Sequence, residues 1–174
     1  IILIGNFDGL HVGHQKLFRL AERYKKKFSL DVGVLTFEPM PKMFFNKNLK
    51  NFRISNLEQK ISLLKNFGVD FVIIKKFDKR FSKTKSINFI KNILSSKLKS
   101  KFIFVSNNFR FGNKREGNVK QLVKYENLYK YKIIKPKPLI KNRKIISSTL
   151  IRKLLQNGRL SQANKFLDRE WSIK

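Results

Sequence analysis

Both histidines of this 174-residue chain, His11 and His14, lie three positions apart beside a glycine-containing turn. Gly5 and Gly9 let the backbone pass close to a bound group, and Gly13 leaves no side chain between the two imidazoles. An amphipathic segment follows, and the start of its helix would present free N–H groups and the positive end of the helix dipole to an anion. These residue types at this spacing therefore predict a phosphate-binding site, with both imidazoles as additional donors.

Two other interpretations of the histidine pair stay open. The histidines could be structural residues near a glycine turn, or they could chelate a metal, because zinc sites use closely spaced histidines. Zero cysteines and the scarcity of acids around the turn disfavour zinc. We therefore assign no metal ligands in this chain.

A second set of donors lies near the end of the chain, where Ser147, Ser148 and Thr149 precede Arg152 by about one helical turn. Hydroxyl and N–H groups at a predicted helix start, together with the bidentate fork of an arginine, could bind a polyphosphate. The alternative is an ordinary Ser/Thr helix cap followed by a solvated arginine.

Aromatic residues follow one of the strand-like runs, where Phe109 and Phe111 flank Arg110. At such a place they suit either a hydrophobic core or a platform for a planar ligand. The dipeptide Glu38-Pro39 follows another strand-like run and could simply end that strand.

The chain is strongly basic, because 40 Lys and Arg residues against 11 Asp and Glu residues give a formal net charge of +29. Such an imbalance is typical of nucleic-acid-binding proteins, and the Lys-rich segments 25–27, 97–101 and 141–144 would be the contact sites. Lysine greatly outnumbers arginine, and the 17 Phe residues also have A/T-rich codons. We therefore expect most of the charge to reflect base composition, with lysines on outer helix faces and turns.

Composition excludes several other classes. A hydrophobic content of 41% suits a globular domain rather than a disordered chain. Zero cysteines exclude disulfides and a cysteine nucleophile, and agree with a cytoplasmic setting. No apolar run approaches the roughly 20 residues that a membrane-spanning helix needs. The chain starts inside a strand-like run without Met, so we expect a fragment that lacks a short upstream segment.

Short apolar runs alternate with amphipathic segments along the chain. Strands are predicted at 1–4, 31–37, 69–74, 102–105 and 131–134. Helices are predicted at 14–27, from a capping box of Ser55 and Glu58 to near Gly68, at 87–98, at 119–128, from a cap at Ser148 or Thr149 through 155, and at 161–167. This alternation predicts an α/β domain over residues 1–174, with about five parallel strands flanked by helices. Ligands of such sheets bind beyond the carboxyl ends of the strands, where the candidate residues lie.

The segment GNFDGLHVGH, residues 5–14, resembles the HxGH signature of the nucleotidyltransferase superfamily. Its full form resembles the adenylyltransferase module of the bacterial bifunctional riboflavin kinase/FAD synthetase family. Further segments resemble that family in the same order, namely LTFEPMP at 35–41, FRFG at 109–112 followed by REG at 115–117, ISSTLIR at 146–152 and LDR at 167–169. The resemblance covers essentially the whole chain.

The resemblance implies a Rossmann-like nucleotidyltransferase fold and the transfer of AMP from ATP to FMN, with FAD and pyrophosphate as products and Mg²⁺ bridging the phosphates. It implies catalytic roles for His11, His14 and Arg152. The implied binding residues are Gly5, Asn6, Phe7, Asp8, Gly9, Gly13, Phe37, Pro39, Asn108, Phe109, Arg110, Phe111, Gly112, Ser147, Ser148 and Thr149. It also implies a C-terminal riboflavin kinase module that is absent from this chain, and no nucleic-acid or membrane partner.

The chain departs from the family pattern at three positions. Met40 stands where the family usually has His, Ser106 where it has Gly, and Asn108 where it has an acid. We expect these changes to affect flavin affinity rather than phosphate chemistry. The rival functions are another HxGH-type nucleotidylyltransferase, such as a pantetheine-phosphate adenylyltransferase or a cytidylyltransferase, and a non-catalytic nucleic-acid-binding domain.

Overall fold

A computed structural model describes residues 1–49, 52–141 and 144–172 of the chain. The strands are β1 (Ile2–Ile4), β2 (Gly33–Glu38), β3 (Phe71–Lys76), β4 (Phe102–Phe104), β5 (Arg110–Phe111), β6 (Gly117–Asn118), β7 (Lys132–Ile134), β8 (Ile140–Lys141) and β9 (Lys144–Ile145). The helices are α1 (Val12–Phe28), α2 (Pro41–Phe45), α3 (Leu57–Asn66), α4 (Lys79–Ser82), α5 (Ser86–Asn88), α6 (Val119–Lys124), α7 (Glu126–Tyr129), α8 (Ser148–Gln156) and α9 (Leu160–Leu167). A π-helical segment, Phe89–Lys97, continues α5, and a 3-10 turn covers Asn113–Arg115.

The central sheet of the described residues contains five parallel strands in the order β3-β2-β1-β4-β7. This confirms the predicted sheet and each of its five predicted strands. β1 lies in the middle, with Ile2 paired to Gly33 on one side and to Ile103 on the other. The carboxyl end of β1 is therefore the centre of the edge at which ligands bind in parallel α/β sheets.

Each face of the sheet is covered by helices, which explains why the strands are almost continuously apolar. Ile2 and Ile4 face a core that includes Leu94 from the π-helical segment. Leu3 faces the opposite core, which includes Phe18 from α1. Successive strand residues point to opposite faces, and each fully buried side chain of this size contributes about 1.5–3 kcal/mol. Within the described residues no helix is both long and apolar enough to span a membrane.

Two predicted helix starts were wrong by about one residue. The capping box of α3 consists of Asn56 and Gln59, rather than Ser55 and Glu58. The hydroxyl of Ser55 is used elsewhere, because it accepts a hydrogen bond from the backbone N–H of Gly9 at 3.2 Å. Similarly, α8 is capped by Ser147, rather than Ser148 or Thr149.

Other segments differ from prediction in their regularity. The predicted helix at 119–128 divides into α6 and α7 at Tyr125, and most of the predicted helix at 87–98 is π-helical. The short helices α2 and α4 were not predicted. The hairpins β5–β6 and β8–β9 were not predicted either, because strands of two residues carry no periodic pattern.

Candidate active site

The turn between β1 and α1, residues 5–11, has an unusually constrained backbone. Phe7 and Leu10 have positive φ values of 46° and 39° although neither is glycine, and both side chains are buried. Gly9 has φ of 79°, and a Cβ built there would lie 2.7 Å from Cγ2 of Ile54. A side chain at Gly9 would therefore disturb both the turn and the segment packed against it. We call residues 5–11 the glycine turn.

Side chains from several elements hold carbonyl groups of the glycine turn. Ser148 Oγ of α8 donates to the carbonyl oxygen of Asp8 at 2.9 Å. Gln15 Nε2 of α1 donates to the carbonyl oxygen of Leu10 at 3.3 Å. Thr36 Oγ1 of β2 donates to the carbonyl oxygen of Asn6 at 3.5 Å. These contacts fix the backbone at the carboxyl end of β1.

The two histidines are stacked on each other at the start of α1. His11 is the N-cap, and its Nδ1 accepts a hydrogen bond from the backbone N–H of His14 at 3.3 Å. Their ring centroids are 3.6 Å apart with an interplanar angle of 19°. Because Nδ1 of His11 accepts, a neutral His11 ring carries its proton on Nε2 and can donate from there.

Both imidazoles are neutral at pH 7. Burial, helped by the nearby Arg152 charge, lowers the pKa of His11 to about 4. Burial, followed by the neighbouring His11, lowers the pKa of His14 well below its ordinary value. His14 is partly exposed at its surface, but its Nδ1 is buried without a hydrogen-bond partner among the described residues. The pair therefore offers neutral N–H donors rather than positive charges.

The amino ends of α1 and α8 lie side by side. A Cβ built on Gly13 would lie 3.1 Å from the His11 ring and 3.4 Å from the carbonyl oxygen of Ile146. Ile146 directly precedes Ser147, whose Oγ accepts a hydrogen bond from the N–H of Leu150 at 3.2 Å. Glycine at position 13 thus permits the close approach of two helix N-termini, and each N-terminus is a favourable place for an anion.

The carboxylate of Asp8 binds groups of the protein. It accepts hydrogen bonds from the N–H groups of Ile54 at 3.0 Å and Ser55 at 3.2 Å, and from Nη2 of Arg152 at 2.6 Å. Arg152 also donates from Nε to the carbonyl oxygen of Phe52 at 2.7 Å. Its guanidinium carbon lies 3.8 Å from the centroid of the Phe52 ring. Asp8 thus orders the glycine turn and anchors Arg152. The assignment of Arg152 to the leaving pyrophosphate stays a prediction.

The predicted aromatic residues lie on a neighbouring part of the same sheet edge. Phe37 is the penultimate residue of β2, and its ring centroid lies 5.9 Å from that of Phe81. Phe109 stacks on Phe111 at 5.5 Å, and Phe111 contacts Phe89 at 5.4 Å. Phe81 and Phe89 are 6.3 Å apart and so connect the two groups. The structure therefore brings the two predicted aromatic segments into one continuous cluster of rings.

Members of this cluster differ in exposure, and therefore in what they can contact. Phe37 and Phe111 are buried in the core, whereas Phe109 is half-buried and Arg110 and Asn108 are exposed. Pro39 follows β2 through a cis peptide bond and is half-buried.

Gly112 and Met40 have evident packing roles in the same region. A Cβ on Gly112 would lie 2.8 Å from the backbone of Ser86, so this glycine serves packing of the β5–β6 hairpin. Met40, which replaces the usual His, is 2% exposed and precedes α2. The hydroxyl of Ser106 donates to Oδ1 of Asn108 at 2.9 Å, so two of the departures from the family pattern contact each other.

Two basic residues around the site, Lys60 and Arg53, were not predicted from the sequence. Lys60 is 3% exposed, and its ammonium donates to Oγ1 of Thr36 at 3.2 Å. We expected lysines on outer helix faces, yet Lys60 has helical spacing to Leu57 and Leu64, and that spacing could have identified its inward position. Arg53 forms a bidentate pair with Glu38 at the end of β2. This pair raises the pKa of Arg53.

The described residues contain no cluster of three or more histidine, cysteine or acidic side chains that could hold a metal. Asp8, the acid of the glycine turn, is 3% exposed and already binds three donors. Among the described residues, the acid of the glycine turn is therefore not available as a ligand for a resident metal ion.

A central parallel sheet with an HxGH sequence at the amino end of its first helix defines a Rossmann-like nucleotidyltransferase. The family profile of FAD synthetase matches residues 1–150, and the chain belongs to this family. The predicted resemblance is thereby confirmed.

Curated relatives support this assignment. The chain is 42% identical over 173 residues to the bifunctional riboflavin kinase/FMN adenylyltransferase of Buchnera aphidicola subsp. Acyrthosiphon pisum. It is 35% identical over 173 residues to the protein of the same name from Escherichia coli strain K12. Each alignment covers 99% of this chain and 55% of the relative, so the chain spans about half the length of these proteins.

Solved structures show the same fold. The crystal structure of a macrolide-efflux protein from Streptococcus pneumoniae matches with a TM-score of 0.83 and 26% identity, over 98% of this chain and 57% of that one. A pantoate-beta-alanine ligase from Francisella tularensis matches with a TM-score of 0.55 and 20% identity, over 96% of this chain and 69% of that one. The second likeness concerns the fold alone.

Proposed function

We propose that this chain is an FMN adenylyltransferase, which transfers AMP from ATP to FMN and releases pyrophosphate. The observation that carries the proposal is the meeting of the α1 and α8 N-termini at the carboxyl end of β1, beside the stacked pair of His11 and His14. Family membership and the names of the curated relatives support the same reaction.

The chemistry needs positioning more than proton transfer. The phosphate of FMN is an anion at neutral pH, so its oxygen can attack the α-phosphorus of ATP without a general base. The protein must align the two groups and stabilise the charge that develops on the phosphoryl oxygens. Neutral imidazole N–H groups of His11 and His14, added to the dipole of α1, would supply preorganised donors for this purpose.

The leaving pyrophosphate would lie at the amino end of α8. The N–H groups of its first turn, with the hydroxyls of Ser147, Ser148 and Thr149, form the donor set there. Thr149 is exposed, whereas the hydroxyls of Ser147 and Ser148 also serve the cap of α8 and the glycine turn. Arg152 would add positive charge from one turn further along, partly neutralised by Asp8.

The flavin ring would lie against the aromatic cluster, near the half-buried Phe109. Exposed Asn108 and Arg110 are beside it and could contact polar edges of the ligand. An aromatic surface next to a phosphate site suits FMN better than the non-aromatic phosphate acceptor of a pantetheine-phosphate adenylyltransferase. This contrast favours the flavin reaction over that rival.

Mg²⁺ would enter as part of the substrate, bound to the phosphates of ATP and retaining several water ligands. Asp8 is not assigned to this ion, because its carboxylate is engaged within the protein.

We further propose that residues 1–174 form the adenylyltransferase unit of a longer protein with a riboflavin kinase module, as the names and lengths of the relatives suggest. A cytoplasmic setting, based on the absence of cysteine, is part of the same proposal.

The decisive experiment is incubation of the chain with FMN, radiolabelled ATP and Mg²⁺, followed by chromatography for labelled FAD. We expect FAD and pyrophosphate in equal amounts. Riboflavin in place of FMN should give no product, since the phosphate is the nucleophile. Absence of FAD, together with tight DNA binding that weakens steeply with salt, would instead support the nucleic-acid-binding alternative.

A further inference from the structure

The chain segment after α9 runs across the back of the glycine turn. Residues 168–172, which we call the strap, begin at Asp168 in the left-handed conformation. Arg169 Nη1 donates to the carbonyl oxygen of Gly9 at 2.9 Å, and Trp171 Nε1 donates to the carbonyl oxygen of Ile54 at 2.7 Å. The strap therefore contacts two peptide segments that are far from it in sequence and are part of the site.

The backbone N–H groups of the same two residues, Gly9 and Ile54, make hydrogen bonds within the site. The N–H of Gly9 donates to Ser55 Oγ, and the N–H of Ile54 donates to the carboxylate of Asp8. Hence the carbonyl groups of Gly9 and Ile54 are held by the strap, while their N–H groups bind residues of the glycine turn and the adjoining segment. A displacement of the strap would be transmitted directly to the backbone that carries Asp8.

Arg169 has surroundings that are unusual for an arginine. It is half-buried, and in the described part of the chain it has no acidic partner within ion-pair distance. Its Nη1 also contacts the carbonyl oxygen of Leu167 at 3.3 Å. A guanidinium that binds carbonyl groups without an acidic partner places a positive charge behind a turn that is followed by an anion-favouring helix N-terminus.

We propose that Arg169 is a positioning residue for nucleotide binding, and that the strap and the glycine turn are coupled through it and Trp171. Docking of the strap holds Gly9 and Ile54 in the conformation that binds phosphate, and a nucleotide bound at the turn in return stabilises the docked strap. This inference rests on the proposed function, because it takes ATP as the ligand of the glycine turn.

The chain offers a direct probe of this coupling. Trp171 is its single tryptophan, so fluorescence excited at a wavelength that adenine does not absorb reports on the strap alone. We expect ATP with Mg²⁺, in the absence of FMN, to shift or quench Trp171 emission in a saturable manner. The concentration for half the change should match the Kd of ATP measured by calorimetry.

Variants separate positioning from folding. Arg169→Met removes the donor and the charge, Arg169→Lys keeps the charge and one donor group, and Trp171→Phe removes the indole N–H. We expect Arg169→Met to raise the KM for ATP about tenfold, as for a lost hydrogen bond to a charged group, and to abolish the ATP-dependent emission change. Arg169→Lys should recover most of both. Arg159→Gln, an exposed arginine beside α9, is the matched control and should resemble the unaltered chain.

The inference is overturned if the KM of Arg169→Met for ATP stays within twofold of that of the unaltered chain. It is also overturned if ATP leaves the emission of Trp171 unchanged. If Arg169→Met does not fold, Trp171→Phe decides, because it removes the indole N–H that holds the Ile54 carbonyl, and an unaltered KM for ATP in that variant overturns the inference. If the unaltered chain makes no FAD but its emission responds to ATP and Arg169→Met does not, the proposed function fails and the coupling stands.

Discussion

Arg152 Nη2 donates a 2.6 Å hydrogen bond to the carboxylate of Asp8, although the two residues are 144 positions apart in the chain. Their side chains are only 16% and 4% exposed. The pair connects the glycine turn, which leads directly into α1, to α8. The N-termini of α1 and α8 are the donors of the proposed phosphate site. The pair therefore sets the distance between the two halves of that site.

Loss of either member of this pair should be strongly destabilising, and the two losses should not be additive. Asp8→Asn or Arg152→Met alone leaves a buried charge without its partner and should lower the free energy of unfolding by about 3–5 kcal/mol. The double variant should lose clearly less than the sum of the single losses. Urea denaturation at pH 7 measures all three, and additive losses would show that the pair is not coupled.

His14→Ala should reduce adenylyl transfer by about 10²-fold, the magnitude expected when one preorganised donor to the developing charge is removed. The KM for FMN should change little, since His14 is assigned to the ATP phosphates. Lys16→Ala, on an exposed position of the same helix, is the control. Initial rates of FAD formation, with thermal melting to confirm folding, test this, and a near-normal rate in His14→Ala would contradict the assignment.

The stacked histidines should make stability depend on pH below neutrality. The pKa of His11 falls from 6.5 to about 4 in the folded chain, so the unfolded chain binds more protons between these values. Stability is then fully present above about pH 6.5 and is lost as the pH falls toward 4. Between pH 7 and pH 5, the titration of His11 alone should lower the free energy of unfolding by about 2 kcal/mol.

His11→Asn isolates that contribution, because asparagine is a good N-cap but does not titrate. Urea denaturation of the unaltered chain and of His11→Asn at pH 7 and pH 5 makes the comparison. The free energy of unfolding should fall more between pH 7 and pH 5 in the unaltered chain than in His11→Asn. Parallel losses in both proteins would mean that His11 titrates normally in the folded state.

Ser147→Asp tests whether the amino end of α8 binds phosphate. Aspartate is as good an N-cap as serine and favours the helix dipole, so stability should be kept, whereas Ser147→Ala should lose about 1 kcal/mol. The added carboxylate should nevertheless repel ATP and raise its KM well above that of Ser147→Ala. Equal KM values for ATP in the two variants would remove this helix from the phosphate site.

The sheet and the glycine turn were predictable because their causes are local. Buried parallel strands are short apolar runs, and the run at 1–4 followed by glycine therefore gave both a strand and its ligand-binding end. The capping error at α3 has a different origin. Ser55 and Asn56 are both suitable caps, and the choice between them depends on Gly9, which lies 46 residues from Ser55 in the chain and recruits its hydroxyl.

The polar contacts between residues far apart in the chain could not be predicted from the sequence. The motif around Arg152 predicts an arginine that is available to bind phosphate. In the folded chain, Asp8 and the carbonyl of Phe52 already hold its guanidinium. Arg169 likewise belongs to a recognisable motif, but its contact with Gly9 spans 160 positions. Such pairs are fixed by the packing of α8 and α9 against the turn, for which periodicity carries no information.

Phe109 provides the sharpest test of the flavin assignment. Its ring stacks on buried Phe111 at 5.5 Å while it is itself half-buried, so part of its surface is left for a ligand, next to the exposed Asn108 and Arg110. Phe109→Ala should raise the KM for FMN about tenfold, the loss of one aromatic contact and its buried area. The KM for ATP should stay unchanged, because the phosphate donors belong to α1 and α8.

The control is Phe28→Ala, which removes a 42% exposed phenylalanine at the C-terminus of α1, away from the glycine turn. Initial rates with FMN and ATP varied separately give both KM values for each variant. An unchanged KM for FMN in Phe109→Ala would place the flavin elsewhere. Equal increases in both KM values would instead indicate that Phe109 supports the fold of the strand ends, since loss of packing there should not discriminate between the two substrates.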